Sequence, residues 1–296
     1  MGATILALTA ILVWSSLAIL NTRVNHLPPL LAVGVALCVG GFAGLPRVRE
    51  WKVPLRTFLV GVGGIFGYHA LLFAAFRMAP AVEVNLVNYL WPLLIVVLSP
   101  AFLPGFALRP RHLLGALLGF AGAGLVVAGG GRLGFAASSL PGYLLAAAAA
   151  FAWAAYSLLT KRLPPFPTGA VGGFCLASGL LALGAYGLGL ALRGEPAPAL
   201  AAADWAWLAA LGAGPMGGAF YAWDAALKRG DPRSIGALSY LTPLLSTFLL
   251  VALGGKAMSP NALVAMALIV SGAVAGSIGG RAGPGGRRGR RTGAEA

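Results

Sequence analysis

The sequence predicts an all-α membrane protein with ten transmembrane helices arranged as two inverted five-helix repeats. Three observations carry that expectation. Of the 296 residues, 59% are hydrophobic and 9% charged, with a mean hydropathy of +0.87. A soluble domain averages roughly 45–50% and 25%, and so few polar groups cannot cover a water-soluble globule. The apolar residues fall into ten windows bounded by charges, prolines and glycine clusters, each close to the ~20 residues that cross a hydrocarbon core. The chain also resembles itself. Residues 73–94 align without a gap to 224–245, sharing Ala74/Ala225, Ala75/Ala226, Tyr89/Tyr240, Leu90/Leu241, Pro92/Pro243, Leu93/Leu244 and Leu94/Leu245.

The spans are expected near 3–22, 29–46, 55–76, 81–102, 111–129, 141–161, 168–192, 205–227, 233–254 and 260–280. The first begins almost at Met1 without a basic leader or an A-x-A site, so it reads as a retained helix rather than a signal peptide. The second and seventh hold Cys38 and Cys175, which lack any CxxC or Cys/His neighbour and read as small buried filler. The third contains Gly61, Gly63, Gly64 and Gly67 with no preceding strand and no GK[ST], so the cluster is packing and not a phosphate loop. The fifth and tenth carry Gly115/Gly119 and Gly272/Gly276, the spacing at which helices approach closely. The glycine-rich stretch 129–140 fits either neighbour, and the Pro-rich connection 193–204 absorbs the drift in repeat offset. The tail 281–296, rich in Gly and Arg, is expected to be disordered. These spans leave room for two repeats, 1–130 and 141–280, and none for a soluble domain.

Charge supplies orientation. With the N-terminus inside, Arg47, Arg49, Lys52, Arg56, Arg109, Arg111, Lys161, Arg162, Lys228, Arg229, Arg233 and the five tail arginines are cytoplasmic, against Arg23, Arg77, Arg132, Arg193 and Lys256 outside. That asymmetry predicts both termini in the cytoplasm. It also accounts for the net charge of +14 without nucleic acid, because the aromatics lie inside the apolar runs and away from the basic residues. Trp14 and Arg23 fall in register with Trp153 and Arg162, and Pro110 and Gly122 with Pro260 and Gly272. Five spans per half is an odd number, so the second half must enter the membrane upside down.

Inverted repeats suit secondary transport, since two like bundles can exchange conformations around a site near the midplane. Polar and aromatic side chains at that depth are the candidates for touching substrate. The densest group is Asn85, Asn88, Tyr89, Trp91 and Pro92. Pro92 strips the Asn88 carbonyl of its helical donor and should kink the helix there; Pro243 repeats the device beside Ser239, Tyr240 and Thr242. Both prolines are candidate hinges. Tyr68 and His69 lie in the third span, Trp153, Tyr156 and Ser157 in the sixth, and Tyr221, Trp223 and Asp224 in the eighth. Substrate-binding candidates are therefore Tyr68, His69, Asn85, Asn88, Tyr89, Trp91, Trp153, Tyr156, Tyr221 and Tyr240. His69 reads equally as a helix contact, Glu83 as favouring a helix N-terminus, and Asp224 as an i,i+4 partner of Lys228. No buried carboxylate stands out as a proton carrier. A lipid-modifying membrane enzyme would need clustered His, Asp, Ser or Cys, whereas His26, His69 and His112 are expected outside, mid-membrane and inside. No cofactor or metal is implied.

The five-plus-five plan, Trp14 with its mate Trp153, and the segment Glu83-Val84-Asn85-Leu86-Val87-Asn88-Tyr89-Leu90-Trp91-Pro92 resemble the EamA family of the drug/metabolite transporter (DMT) superfamily, and within it the aromatic amino acid exporters. The resemblance covers residues 1–280. It implies a basket-like ten-helix fold, a central cavity walled by Tyr68, His69, Tyr89, Trp91 and Trp153, and export of aromatic amino acids and related metabolites across a bacterial inner membrane by a monomer. A cationic drug or nucleotide sugar is the alternative cargo on the same fold. The small multidrug pumps of that superfamily carry a glutamate in the first span, where residues 10–15 here hold no acid; Thr242 stands where the second half would repeat Trp91.

Overall fold

The computed structural model describes residues 2–128, 134–254 and 262–277. Arg132, Lys256, Pro260 and the tail 281–296, all used in the sequence reading, lie outside the described residues. The described residues are mainly helical, with no strand among them. In chain order the helices are α1 Gly2–Ser15, α2 Leu17–Val24, α3 Pro29–Phe42, α4 Leu55–Phe76, α5 Ala81–Asn88, α6 Leu90–Phe102, α7 Pro110–Ala128, α8 Leu140–Arg162, α9 Ala170–Arg193, α10 Ala202–Ala213, α11 Ala219–Arg229, α12 Pro232–Leu238, α13 Leu241–Gly254 and α14 Ala262–Ser277.

By length and composition six stretches can cross a membrane: Gly2–Val24, Leu55–Phe76, Ala81–Phe102, Pro110–Ala128, Ala137–Arg162 and Ala170–Arg193. A seventh is possible if α3 and the 3-10 turn Leu45–Trp51, bent by 87°, act together. The apolar windows at 205–227 and 233–254 come out as broken helices, each piece too short to qualify alone. Apolar periodicity does not register such breaks, whose causes are local.

Four interruptions have identifiable origins. Between α1 and α2 the Ser15 and Ser16 hydroxyls donate to the Ile11 and Val13 carbonyls, both at 2.7 Å, competing with the backbone ladder. Between α5 and α6 the helix turns at Tyr89, one residue beyond the carbonyl that Pro92 leaves without a donor. The π turn Gly214–Gly218 parts α10 from α11 at a Gly-Pro step. Between α12 and α13, Ser239 and Tyr240 form a turn ahead of Pro243, and the Ser239 carbonyl accepts from the Thr242 amide at 3.0 Å. The breaks at Tyr89 and Tyr240 fall at matched positions of the internal repeat.

Packing also respects an exchange of the two halves. α4 packs on α8 as α11 packs on α1, α6 packs on α8 as α13 packs on α1, and α3–α9 and α7–α14 join equivalent helices. The α7–α14 seam is close on both sides: a Cβ at Gly115 would lie 2.6 Å from the Gly272 carbonyl oxygen, and one at Gly272 would lie 2.6 Å from that of Gly115. Backbone is the obstacle on both sides, so these glycines are required for contact.

Charged groups gather where helices end. The Lys161 ammonium donates to the Leu227, Lys228 and Gly230 carbonyls at 3.0, 3.4 and 2.6 Å, closing the C-terminus of α11 with a cation. Asp224, its side chain fully buried, accepts from Lys228 and Thr168, each at 2.7 Å; the expected i,i+4 pair is thus present. Glu83 sits in the first turn of α5 and accepts from the Gly134 amide at 3.0 Å. Asp231 caps α12 through the Arg233 amide and pairs with its guanidinium at 2.6 Å. Arg233 also donates to the Ala107 carbonyl and lies over Phe106. Burial alone would raise the Asp231 carboxyl, yet Arg233 holds it below the usual carboxylate range.

Candidate functional site

The half-exchanging arrangement brings α1, α4, α6, α8 and α11 around one group of rings. Trp14 of α1 meets four of them: Trp91 of α6 at 6.2 Å between centroids, Trp153 of α8 at 5.9 Å, and Phe220 and Trp223 of α11 at 6.1 and 5.1 Å. Trp91 lies 5.6 Å from Trp223, and Trp153 lies 5.3 Å from both Tyr68 and Phe220. Most of these pairs are edge-on or tilted, the geometry that ring quadrupoles favour, each worth ~0.5–1.5 kcal/mol beyond area burial. Two of the four indole N–H groups are tied back to the scaffold. Trp14 donates to the Pro215 carbonyl at 3.0 Å and Trp223 to the Ser157 hydroxyl at 3.1 Å, so the ring faces are held in place by bonds on their far edges.

Polar groups adjoin this cluster on the α4–α5 side. The Tyr68 ring stands 4.9 Å from His69, and its hydroxyl accepts from the Asn88 amide at 3.2 Å. Asn88 is 8% exposed, and its other polar atom, Oδ1, has no partner. Whichever way the amide is turned, one of its two polar atoms stays unpaired. A buried amide group left unsatisfied costs ~1–3 kcal/mol. The His69 Nδ1–H donates to the Ile65 carbonyl one turn back at 2.7 Å, a contact within its own helix. No Lys, Arg, Asp or Glu takes part in the ring contacts of the cluster. Among the described residues no group of three or more His, Cys, Asp or Glu stands where it could hold a metal ion.

Tyr68, His69, Asn88, Trp91, Trp153 and Tyr156 are therefore brought together, Tyr156 through its 5.4 Å contact with Trp153. Asn85 is half-buried one turn before Asn88, and Tyr89 is half-buried at the helix break. Two candidates lie elsewhere. Tyr221 turns away to donate to the Gly40 carbonyl at 3.1 Å, and Tyr240 packs against Phe120 and the backbone of the α5–α6 break. Tyr221 and Trp223 are two residues apart on α11, and the helix rotation of ~100° per residue sends one to α3 and the other to the rings. Trp14, Phe220 and Trp223 complete the cluster without having been counted as site residues. The register of Trp14 with Trp153 was the available signal for the first; Phe220 offered none.

Comparison with known proteins matches the EamA-like transporter family over residues 1–128 and 140–277. An aromatic amino acid exporter, YddG, of Ancylobacter novellus is 44% identical over 285 residues, covering 94% of this chain and 97% of its own. The protein of that name from Salmonella typhimurium is 29% identical over 268 residues, covering 83% and 87%. A probable amino-acid metabolite efflux pump of Salmonella typhimurium is 30% identical over 162 residues, about half of each chain. A solved crystal structure superposes with a TM-score of 0.85 at 44% identity, over 92% of this chain and 95% of its own.

Proposed function

The chain belongs to the EamA-like transporter family, and we propose that it exports aromatic amino acids and related metabolites across a bacterial inner membrane. Its spans number ten, with α10/α11 and α12/α13 each crossing as one interrupted unit, and both termini lie in the cytoplasm. The two halves, 1–130 and 141–280, are inverted repeats that exchange conformations, so the site between them opens to either face in turn. The protein acts as a monomer. The names of its relatives, the exchange-symmetric packing and the matched breaks at Tyr89 and Tyr240 support this reading.

The observation that carries the substrate assignment is the unpaired amide atom of Asn88 beside the Tyr68 hydroxyl, at the edge of the Trp14, Trp91 and Trp153 rings. A flat apolar side chain finds edge and face contacts on the indoles, and an ammonium finds the Asn88 Oδ1 acceptor. The substrate carboxylate has no Lys or Arg within the ring cluster. It is held by the Tyr68 hydroxyl or by helix-break backbone, with His69 lining the wall beside them, which suits the weak, broad binding that an exporter needs to release its cargo. Tyr89, Asn85 and Tyr156 complete the wall, and Pro92 and Pro243 mark the hinges.

Proteoliposomes loaded with labelled phenylalanine or tryptophan test the assignment. Protein-dependent efflux that is lost in Trp91→Ala is expected; absent flux, or flux unchanged by the substitution, overturns it. A box of indoles also suits an organic cation, so competition by a quaternary ammonium compound discriminates the second reading: strong inhibition there with none by phenylalanine reverses the assignment. A nucleotide sugar is disfavoured by the lack of Lys or Arg in the ring cluster.

A further inference from the structure

In an unbroken helix the Tyr89 carbonyl would accept from the Leu93 amide, four residues on. Pro92 sits inside that turn, and the direct bond is gone. In its place stands the hydroxyl of Tyr240, from the other half of the chain. It donates to the Tyr89 carbonyl at 3.1 Å and accepts from the Leu93 amide at 3.1 Å. Both groups orphaned at the break are thereby satisfied by one inserted side chain, a recognised way to hold a helix bent. Tyr240 is fully buried, and Phe120 meets its ring edge-on at 6.5 Å.

The splice is one-sided. Tyr240 itself lies at the α12–α13 break, three residues before Pro243, and its counterpart in the internal repeat is Tyr89, three residues before Pro92. Tyr89 is half-buried, and its hydroxyl makes no hydrogen bond to any described residue. Two equivalent tyrosines thus hold unequal roles in a fold whose halves otherwise pack alike.

We propose that Tyr240 is a positioning residue for transport, splicing the turn that carries Asn88 and Trp91, and that the task passes to Tyr89 in the opposite access state. There the Tyr89 hydroxyl inserts between the Tyr240 carbonyl and the Leu244 amide, and Tyr240 is released. This rests on the alternating-access reading of the two halves. Each state then has one spliced and one open break, and neither state is penalised with two.

The test uses the full-length protein in liposomes with Cys38 and Cys175 replaced by alanine and Asn85→Cys as reporter. Labelling by an impermeant maleimide from each face reads the balance of states. Tyr240→Phe should shift that balance away from the state described here by roughly thirtyfold or more, the scale set by leaving two buried backbone groups unpaired, and should speed Leu93 amide hydrogen exchange. Tyr89→Phe should shift the balance the opposite way, and the double variant should return it near the parent value. A merely structural tyrosine would move both single variants in the same direction or neither, and that result overturns the proposal, as does unchanged exchange at Leu93. Should Tyr240→Phe fail to fold, Tyr89→Phe decides alone, because its hydroxyl bonds no described residue in this state; no shift there sinks the idea. The labelling needs no substrate. Opposed shifts together with no phenylalanine flux by the unsubstituted protein would keep the splice and reject the substrate, and flux by that protein with shifts in one direction would do the reverse.

Discussion

Replacing Asn88 by leucine isolates the contact on which the substrate assignment stands. The side chains share the number and branching of their heavy atoms, so the buried site at the end of α5 is refilled while both polar atoms are removed. Two interactions are at stake. One is the 3.2 Å bond to the Tyr68 hydroxyl, a neutral pair worth ~1 kcal/mol, which affects free and loaded protein alike. The other is the acceptor that has no partner in the structure. If a substrate ammonium donates to it, the bond involves a charged group and is worth ~1.5–3 kcal/mol. At ~1.4 kcal/mol per tenfold, phenylalanine affinity should fall about 10- to 150-fold. The assay is a comparison of two ligands by scintillation proximity or calorimetry: phenylalanine, and 3-phenylpropionate, which keeps the ring and carboxylate but lacks the ammonium. Asn88→Leu should weaken only the first, leaving 3-phenylpropionate within about twofold. Equal losses for both ligands would show that Asn88 acts through the shape of the site and would refute the ammonium contact.

The remaining expectations concern the scaffold. Gly272→Ala should lower thermal stability in detergent by about 1–3 kcal/mol, because the new Cβ meets Gly115 backbone at 2.6 Å and neither helix can yield locally; Gly63→Ala, which meets nothing within 4 Å, should be neutral or stabilising by up to ~1 kcal/mol. Lys161→Met removes the cation on the last α11 carbonyls and should cost about 1–2 kcal/mol, read as a lower midpoint in thermal unfolding; an unchanged midpoint would mean water serves those carbonyls equally well. Asp231 has its folded-state proton affinity depressed by Arg233, so its contribution is fully present above the unfolded carboxyl's titration range and is lost as pH falls through the folded one. Unfolding midpoints of parent and Asp231→Asn protein should therefore converge on acidification, and a constant gap across pH would remove the ion pair from the account.

How much of this was legible from residues alone varies with the range of the interaction. Spans three and four coincide with the helical stretches at 55–76 and 81–102 because long apolar runs bounded by Pro and charge leave the backbone one way to satisfy itself in lipid. The Asp224–Lys228 pair and the close approach at Gly115 and Gly272 follow from i,i+4 neighbourhood and from missing side chains, both written in the chain. The break near Asn88 follows from Pro92. The π turn at Gly214–Gly218 was less legible, since one Gly-Pro step inside an apolar window leaves hydropathy unchanged.

Membrane residence, helical class, the internal repeat and the positions of its proline breaks were thus determined by the sequence itself, because composition, local sterics and residue spacing act without reference to distant partners. Which aromatic rings converge was decided only by tertiary structure. Trp223 and Tyr221 are two residues apart in the chain yet serve different neighbours, Trp14 reaches Pro215 two hundred residues away, and Tyr240 completes a helical turn that belongs to the other half. Helix rotation and the packing of one half against the other set those directions, and neither quantity is carried by the pattern of any single helix.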